Sequence, residues 1–332
     1  MTILVKEKIL LVGQGAREHA IAKALKKSDI ELFAFMKAKN PGIAELATKI
    51  RIAKLNDFKE LEKFIQEIKP DFAVIGPENP LADGIVDFLA EKGVSSIGPQ
   101  RSAARIESSK SFTRELMAKY SIPGLPDFRI FSSEDDEKTI RKYINKMGNV
   151  AVKRDGLAGG KGVKLMAEHL ESIDEAIAYC KEIFEKGESA VLEELLIGEE
   201  FSLQCFVSGL DVAPMPIAQD HKRAYEGDVG PNTGGMGSYS AENHLLPFIS
   251  KEVVAEAKEI IEKTAKALKE EIGNDFIGIL YGGFMLTKNG LKLLEYNARF
   301  GDPEAMNVLP LLETSLVEIF QAMINGSLGK LE

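Results

Sequence analysis

Two stretches of the chain bring glycine, lysine and carboxylate together in patterns that phosphate chemistry needs. In Lys153-Arg154-Asp155-Gly156-Leu157-Ala158-Gly159-Gly160-Lys161-Gly162-Val163, four glycines sit between apolar, strand-like runs. Backbone N–H groups in such a loop can approach an anion closely. Lys153 and Lys161 can neutralise phosphate oxygens, each charge-assisted bond being worth roughly 1.5–3 kcal/mol. A solvated hairpin is the bland alternative. Lys153 lies inside an otherwise apolar strand, where a lysine needs a partner, and this favours a triphosphate clamp. The loop is not a Walker A motif, because Gly162 follows Lys161 where a metal-binding hydroxyl would be needed.

The second stretch is Glu295-Tyr296-Asn297-Ala298-Arg299-Phe300-Gly301-Asp302-Pro303-Glu304. On a strand, Glu295 and Asn297 project from one face. A carboxylate and an amide oxygen so placed suit a hard cation such as Mg²⁺, which keeps phosphate oxygens and water as its other ligands. Arg299 shares that face if the strand continues, and its fork can grip a carboxylate. A surface salt-bridge cluster is less favoured, because Leu293, Leu294 and Phe300 would bury the neighbourhood.

Three weaker signals accompany these. Val191-Leu192-Glu193-Glu194-Leu195-Leu196-Ile197-Gly198-Glu199-Glu200 is an apolar strand edge followed by acidic residues, which can offer backbone groups to adenine and a carboxylate to ribose hydroxyls; alone, a solvated acidic turn is the better reading of Glu199 and of one of Glu193 and Glu194. Gln219-Asp220-His221-Lys222-Arg223 precedes the glycine-rich Gly230-Pro231-Asn232-Thr233-Gly234-Gly235-Met236-Gly237, where side chains resemble substrate contacts more than a disordered loop. Gly13-Gln14-Gly15-Ala16-Arg17-Glu18 approaches a dinucleotide fingerprint but carries Glu18 at its third glycine position. A helix N-terminus with an arginine suits a single phosphate, and Pro77-Glu78 can face the same pocket.

The elements that must position these residues follow from hydrophobic periodicity. Strands over 8–13, 30–36, 71–75 and 94–97 alternate with helices over 17–26, 57–68 and 85–91, with Asp57 placed as a cap. This predicts a doubly wound parallel sheet with ligands at the carboxyl ends of its strands. After a helix over 110–120, a proline- and glycine-rich segment at 122–126 marks a boundary, and the pattern becomes α+β. Strands are expected over 149–154, 163–166, 190–196, 201–207 and 212–217. Helices are expected over 173–186, 251–271 and 316–324, with a hairpin turning at Asn289-Gly290. The expected division is 1–121 for substrate phosphate, 122–190 as a lid, and 191–332 with the metal and reaction centre.

With 332 residues, 45% hydrophobic and 28% charged, the chain has a globular balance. Its formal net charge of -9 argues against a nucleic-acid partner. Cys180 and Cys205 show no metal-ligand spacing and read as core residues. No run is long and apolar enough for a membrane span or secretory signal, so a cytoplasmic location is expected.

Taken together, these residues resemble the phosphoribosylamine–glycine ligase family, also called glycinamide ribonucleotide synthetase, within the ATP-grasp superfamily. The resemblance runs through 13–20, 76–81, 107–113, 152–163, 193–200, 219–223, 230–239 and 295–304. The 219–223 and 230–237 stretches are specific to this ligase, whereas the lysine loop and the Glu295/Asn297 pair are shared across the superfamily. The resemblance implies an ATP-grasp fold after the amino-terminal sheet. It implies ATP held by Lys110, Lys153, Gly156, Gly159, Gly160, Lys161 and Gly162, with Glu193, Glu194, Leu195 and Leu196 at adenine and Glu200 at ribose. Glu295 and Asn297 would bind Mg²⁺ or Mn²⁺. The phosphoribosyl part of the substrate would lie near Gly15, Arg17, Glu18, Asn40, Pro41, Gly42, Pro77 and Glu78. Asp220, Lys222, Asn232, Thr233, Gly234 and Arg299 would line the reaction centre, where Lys153, Lys161, Asp220, Lys222 and Arg299 are the candidate catalytic groups.

The implied reaction joins glycine to 5-phosphoribosylamine through a glycyl phosphate, with small molecules as the partners. The family carries a further small carboxy-terminal domain, which is expected to be absent from this chain, meaning a fragment, a partner chain that supplies the domain, or a reduced enzyme. The alternatives are another ATP-grasp carboxylate–amine ligase and a non-catalytic nucleotide-binding remnant.

Overall fold

A computed structural model describes residues 6–159, 162–227 and 229–331. The chain opens with five strands: β1 (Lys8–Val12), β2 (Glu31–Met36), β3 (Lys49–Ile52), β4 (Phe72–Ile75) and β5 (Ser95–Ile97). They form a parallel sheet in the order β3-β2-β1-β4-β5. The helices between and after them are α1 (Ala16–Leu25), α2 (Pro41–Leu46), α3 (Phe58–Ile68), α4 (Glu78–Asp83), α5 (Ile85–Glu91), α6 (Arg101–Ser108) and α7 (Lys110–Lys119). Strand order reverses between β1 and β4, so their carboxyl ends open onto a crevice. α3 begins as its sequence implies, with the Asp57 side chain accepting a hydrogen bond from the Glu60 backbone N–H.

β1 shows why its apolar run is unbroken. Leu10 and Val12 face one core with Leu61 and Phe64, while Ile9 and Leu11 face another with Ile21 and Leu25. A parallel strand covered on both faces needs apolar residues at every position.

A second, antiparallel sheet follows, ordered β6-β9-β7-β8, from β6 (Phe128–Phe131), β7 (Val150–Arg154), β8 (Val163–Leu165) and β9 (Ala190–Glu194). It is backed by α8 (Glu137–Met147) and α9 (Ile173–Phe184), which share a core of their own with it. The division expected at 190 falls inside β9. All five residues of that strand pair with β7, so the chain leaves this sheet only after Glu194.

The rest builds a third sheet, β11-β10-β14-β15, from β10 (Gly198–Ser208), β11 (Asp211–Pro214), β14 (Ile277–Thr287) and β15 (Gly290–Asn297). The glycine-rich 219–239 stretch is neither loop nor coil. It forms a two-stranded ribbon of β12 (Gln219–Tyr225) and β13 (Val229–Tyr239), with shifted register between His221 and Arg223. α10 (Lys251–Ile272) packs its apolar stripe into the core shared by the first and third sheets. After α11 (Ala305–Val308), α12 (Leu316–Ile324) returns to the first sheet, where Phe320 meets Phe72 edge-on at 6.4 Å. Cys180 and Cys205 are both buried. Among the described residues no single helix is long and apolar enough to cross a membrane.

Phe320 is fully buried where α12 joins the first sheet to β10. Replacing it with alanine should lower unfolding free energy by about 3–5 kcal/mol in urea titrations. Met306→Ala, on the exposed side of α11, should change it by less than about 0.5 kcal/mol. Equal, small effects would mean that α12 is not part of the core.

Candidate active site

The three sheets meet around one cavity of about 370 Å³. Its wall takes Lys110 from the first turn of α7, Gly156, Gly159 and Gly162 from the loop after β7, and Glu295 and Asn297 from the end of β15. Asp220, Lys222, Thr233 and Gly234 enter from the ribbon, and Arg17, Glu78 and Arg299 complete the side nearest the parallel sheet. Gly160 and Lys161 lie outside the described residues, as does the side chain of Asn232.

A β-bulge explains why Glu295 and Asn297 face the cavity. Phe284 pairs with Leu293 but Gly283 pairs with Glu295, leaving Leu294 as the extra residue. The bulge shifts the alternation, so Leu291 and Leu293 before it and Tyr296 and Ala298 after it all enter the core. Glu295, Asn297 and Arg299 are left on the cavity side. Leu294 gains a second role, because its carbonyl accepts hydrogen bonds from Arg114 Nη2 at 2.7 Å and Lys153 Nζ at 3.1 Å.

Those two cations converge on Glu193. Arg114 donates through Nε and Nη2 at 2.6 and 3.0 Å, and Lys153 Nζ lies 2.8 Å away. Glu193 is 1% exposed. Burial alone would raise its carboxyl, but Arg114 and Lys153 overcome this and hold it at about 2. Glu193, on the strand edge expected at adenine, commits its carboxylate to this junction. Glu194, Leu195, Leu196 and Glu200 also stand off the cavity wall. Glu194 pairs with Lys292 at 3.2 Å, and Glu200 with Lys222 at 2.6 Å.

Glu295 is exposed by area, but what it exposes is cavity wall. Desolvation, the largest influence, raises its carboxyl; Lys222, Lys110, Lys153 and Arg299 together reverse this and bring it below the ordinary value. Lys222 is likewise disfavoured by burial, yet Glu200, Asp220 and Glu295 push its ammonium well above the lysine range. Lys110 differs. Desolvation lowers it, and among the described residues its one hydrogen bond runs to the Gly156 carbonyl at 3.1 Å. Gly156 and Gly159 have positive φ, with open space where a Cβ would sit.

On the opposite side, charges alternate. Arg17 lies 3.8 Å from Glu78, Glu78 lies 3.5 Å from Arg299, and Arg299 lies 3.0 Å from Glu107. Glu107 also accepts the Ala298 N–H at 2.8 Å, and desolvation raises its carboxyl despite Arg299. Arg299 further donates to Asn297 Oδ1 at 3.0 Å.

The amino-terminal candidates hold the loops at the carboxyl ends of β1 and β2. Gly15 caps α1, and Glu18 accepts from the Gly15 N–H and from Arg17 Nε. Glu18 also fills the space over Gly76, where a Cβ would lie 2.3 Å from its Cγ. Asn40 caps α2 ahead of Pro41 and ties to the Gln14 carbonyl at 2.9 Å. Gly42 leaves room for the His19 ring. Pro77 caps α4 and lines a separate hollow of about 350 Å³ with Lys37 and Lys54.

Sequence reasoning assigned no role to Arg114, Glu107, Tyr281 or Glu304. Arg114 carried a usable signal, being a charged residue among Phe112, Leu116 and Met117 on the buried face of α7. Tyr281 carried none.

The family model for the phosphoribosylglycinamide synthetase N domain matches residues 7–107, and that for the ATP-grasp (A) domain of the same enzyme matches residues 108–305. The chain is 50% identical over 326 residues to a phosphoribosylamine–glycine ligase of Methanosarcina barkeri, covering 98% of this chain and 74% of the relative. It is 50% identical over 331 residues to that of Methanocaldococcus jannaschii, with the same coverage. A crystal structure of phosphoribosylamine–glycine ligase from Thermotoga maritima superposes with a TM-score of 0.79 at 30% identity, covering 96% of this chain and 75% of that one.

A carboxyl depressed from 4.5 to about 2 contributes stability that is complete above pH 4.5 and is lost as pH falls toward 2, on the order of 3 kcal/mol. Glu193→Gln should therefore flatten the acid limb of stability between those pH values. At neutral pH it should cost about 3–5 kcal/mol, because two buried cations lose their counter-charge. Urea melts across that range measure both, and an unchanged acid limb would refute the junction.

Proposed function

The chain belongs to the phosphoribosylglycinamide synthetase family, and from that premise we propose how its cavity performs the reaction. It catalyses ATP-dependent ligation of glycine to 5-phosphoribosylamine in purine biosynthesis, giving glycinamide ribonucleotide, ADP and phosphate. The observation that carries the assignment of residues is the placement of Lys110, Lys222, Glu295, Asn297 and Arg299 on the wall of one cavity.

In the first step an oxygen of the glycine carboxylate attacks the γ-phosphorus of ATP. The bond to the β–γ bridging oxygen breaks, and glycyl phosphate and ADP result. In the second step the neutral amine nitrogen of phosphoribosylamine attacks the acyl carbon; phosphate leaves and the nitrogen releases a proton. Charge builds on phosphoryl oxygens in the first step and on the acyl oxygen in the second. Lys110, Lys153 and Lys222 neutralise that charge from fixed positions, which needs no reorganisation during reaction. Gly156, Gly159 and Gly162 let backbone approach the triphosphate closely and keep water from the acyl phosphate. Arg299, braced by Glu78 and Glu107, orients the glycine carboxylate.

Glu295 and Asn297 supply two oxygen donors on one strand face. Among the described residues no group of three or more His, Cys, Asp or Glu side chains is placed to hold a metal alone. That donor set fits Mg²⁺ or Mn²⁺ bound jointly by protein, phosphate and water. When bound, such an ion offsets negative charge on the transferring phosphoryl group.

Residues 1–121 take the phosphoribosyl end. The sheet of β6 to β9 serves as the lid, and the chain from 195 onward presents the reaction centre. The site acts on small molecules in the cytoplasm.

ADP release coupled to a dehydrogenase assay, with ribose 5-phosphate, ammonia, glycine, ATP and Mg²⁺, should depend on glycine. Glu295→Ala should reduce it by about 10²-fold or more. ADP release that ignores glycine would point to another ligase, and near-normal turnover in Glu295→Ala would overturn the metal and phosphate assignment.

A further inference from the structure

Most attachments of the small sheet, β6 to β9, run to α7 and β15. The Leu293 N–H donates to the Gly124 carbonyl at 2.8 Å, Lys292 Nζ donates to the Leu125 carbonyl at 3.0 Å, and Lys292 pairs with Glu194 at 3.2 Å. The Glu193 junction and the hydrogen bonds from Ser109 and Ser111 to Asp155 belong to the same set. One further attachment runs to the ribbon instead, an ion pair between Glu168 and Arg223. Among the described residues, no other hydrogen bond or ion pair joins 128–194 to 219–239.

Local backbone presents both partners. Glu168 stands on the turn after β8, where Met166 bridges Leu170 and the His169 N–H donates to the Leu165 carbonyl at 2.8 Å. In that turn Ala167 has a φ of 67°. A residue with a Cβ enters this left-handed region only at a cost in strain, so the surrounding hydrogen bonds must hold the turn. His169 Nδ1 accepts the Leu165 N–H at 3.2 Å, which leaves the proton of the neutral ring on Nε2, 3.4 Å from the Glu168 carboxylate. Arg223 divides its fork: Nη1 donates to the Gly230 carbonyl of β13 at 2.9 Å, and Nη2 reaches Glu168. The ribbon's register shifts on both sides of Arg223. The residue before it, Lys222, lines the cavity.

The two side chains are 24% and 37% exposed. Ion pairs so wet contribute little to folding, so stability is a poor account of this one. A weak link does suit a contact that opens and closes in every turnover.

We propose that Glu168 and Arg223 form a latch between the small sheet and the ribbon, closed while nucleotide is bound and open when it enters or leaves. The inference rests on the reading of the cavity as the nucleotide site and of the small sheet as its lid. Neither side chain lines the cavity, so both are positioning residues. Closing the latch sets Lys153 and the glycine loop, carried by the sheet, against Lys222, carried by the ribbon. The apparent affinity for nucleotide then scales with the latched fraction.

Calorimetric titration of MgADP into the full chain tests this, using Glu168→Arg, Arg223→Glu and the double exchange. Each single reversal replaces attraction by repulsion and should weaken MgADP binding by about fivefold. The double exchange should bring it back to within about twofold of the unmodified chain, a recovery that a merely structural role would not give. Glu168→Gln should weaken binding by about two- to threefold, and that difference should shrink in about 1 M salt, where charges are screened beyond about 3 Å. The KM for ATP in steady-state ADP release should follow the same pattern.

Unchanged affinity in both single reversals, or a double exchange as weak as the weaker single, would overturn the latch. An equal loss for Glu168→Gln at low and high salt would do the same, and this variant decides the matter if the reversals fail to fold. Failure of the unmodified chain to bind MgADP would remove the nucleotide site and the latch with it. If MgADP binding follows the expected pattern while ADP release ignores glycine, the ligase reading falls and the latch stands.

Discussion

A carboxylate stays ionised in a dry interior only where cations meet it, and at Glu193 those cations come from two other segments of the chain. Arg114 arrives from α7, Lys153 from β7 of the small sheet, and both also bind the Leu294 carbonyl of β15. The junction therefore ties together the three regions whose meeting creates the cavity. Its contribution to net stability is a weak reason for keeping it, since apolar replacements of buried ion pairs are often neutral or stabilising. Geometry is the better reason. Lys153 is the member whose charge helps hold the Glu295 carboxyl down, and Glu193 fixes where its ammonium can be.

The same carbonyl shows how backbone irregularity serves the site. Strict alternation along β15 would place Glu295 and Asn297 on the face of Leu291 and Leu293, inside the core. The extra residue at Leu294 shifts the phase by one. One local defect in a strand thus turns an acid and an amide to the cavity, returns Tyr296 and Ala298 to the core, and frees a carbonyl for two cations.

What was legible in the sequence divides along the same line. Period-two alternation placed Glu295 beside Asn297, but no local pattern announces a bulge, so their escape from the core was invisible. β1, β4 and α3 were readable because their burial is uniform or cleanly periodic and α3 has its Asp57 cap. β3, with exposure at Lys49 and Ile52, and the short α2 lack such contrast. The 219–239 ribbon was hidden by its glycines, which weaken any strand propensity. Glu193 looked like part of a solvated turn because its partners lie 79 and 40 positions away in the chain. Local sequence cannot report a charge balanced that remotely.

Charge balance also orders how the cavity meets its nucleotide. Lys153 is neutralised by Glu193, Lys222 by Glu200, and Arg299 by Glu107. On the proposed reading, an incoming triphosphate would share these cations with acids already in place, which tempers each interaction. Lys110 has no ion pair among the described residues, its hydrogen bond running to a carbonyl, and desolvation disfavours its charge more than the nearby carboxylates favour it. A phosphate oxygen arriving there would replace missing solvation rather than compete with an existing ion pair, so the gain is larger at Lys110 than at its better-paired neighbours. Lys110 opens α7, the helix that carries Arg114 one turn further on. Occupation by phosphate at one end of that helix is thus mechanically continuous with the buried junction that positions Lys153.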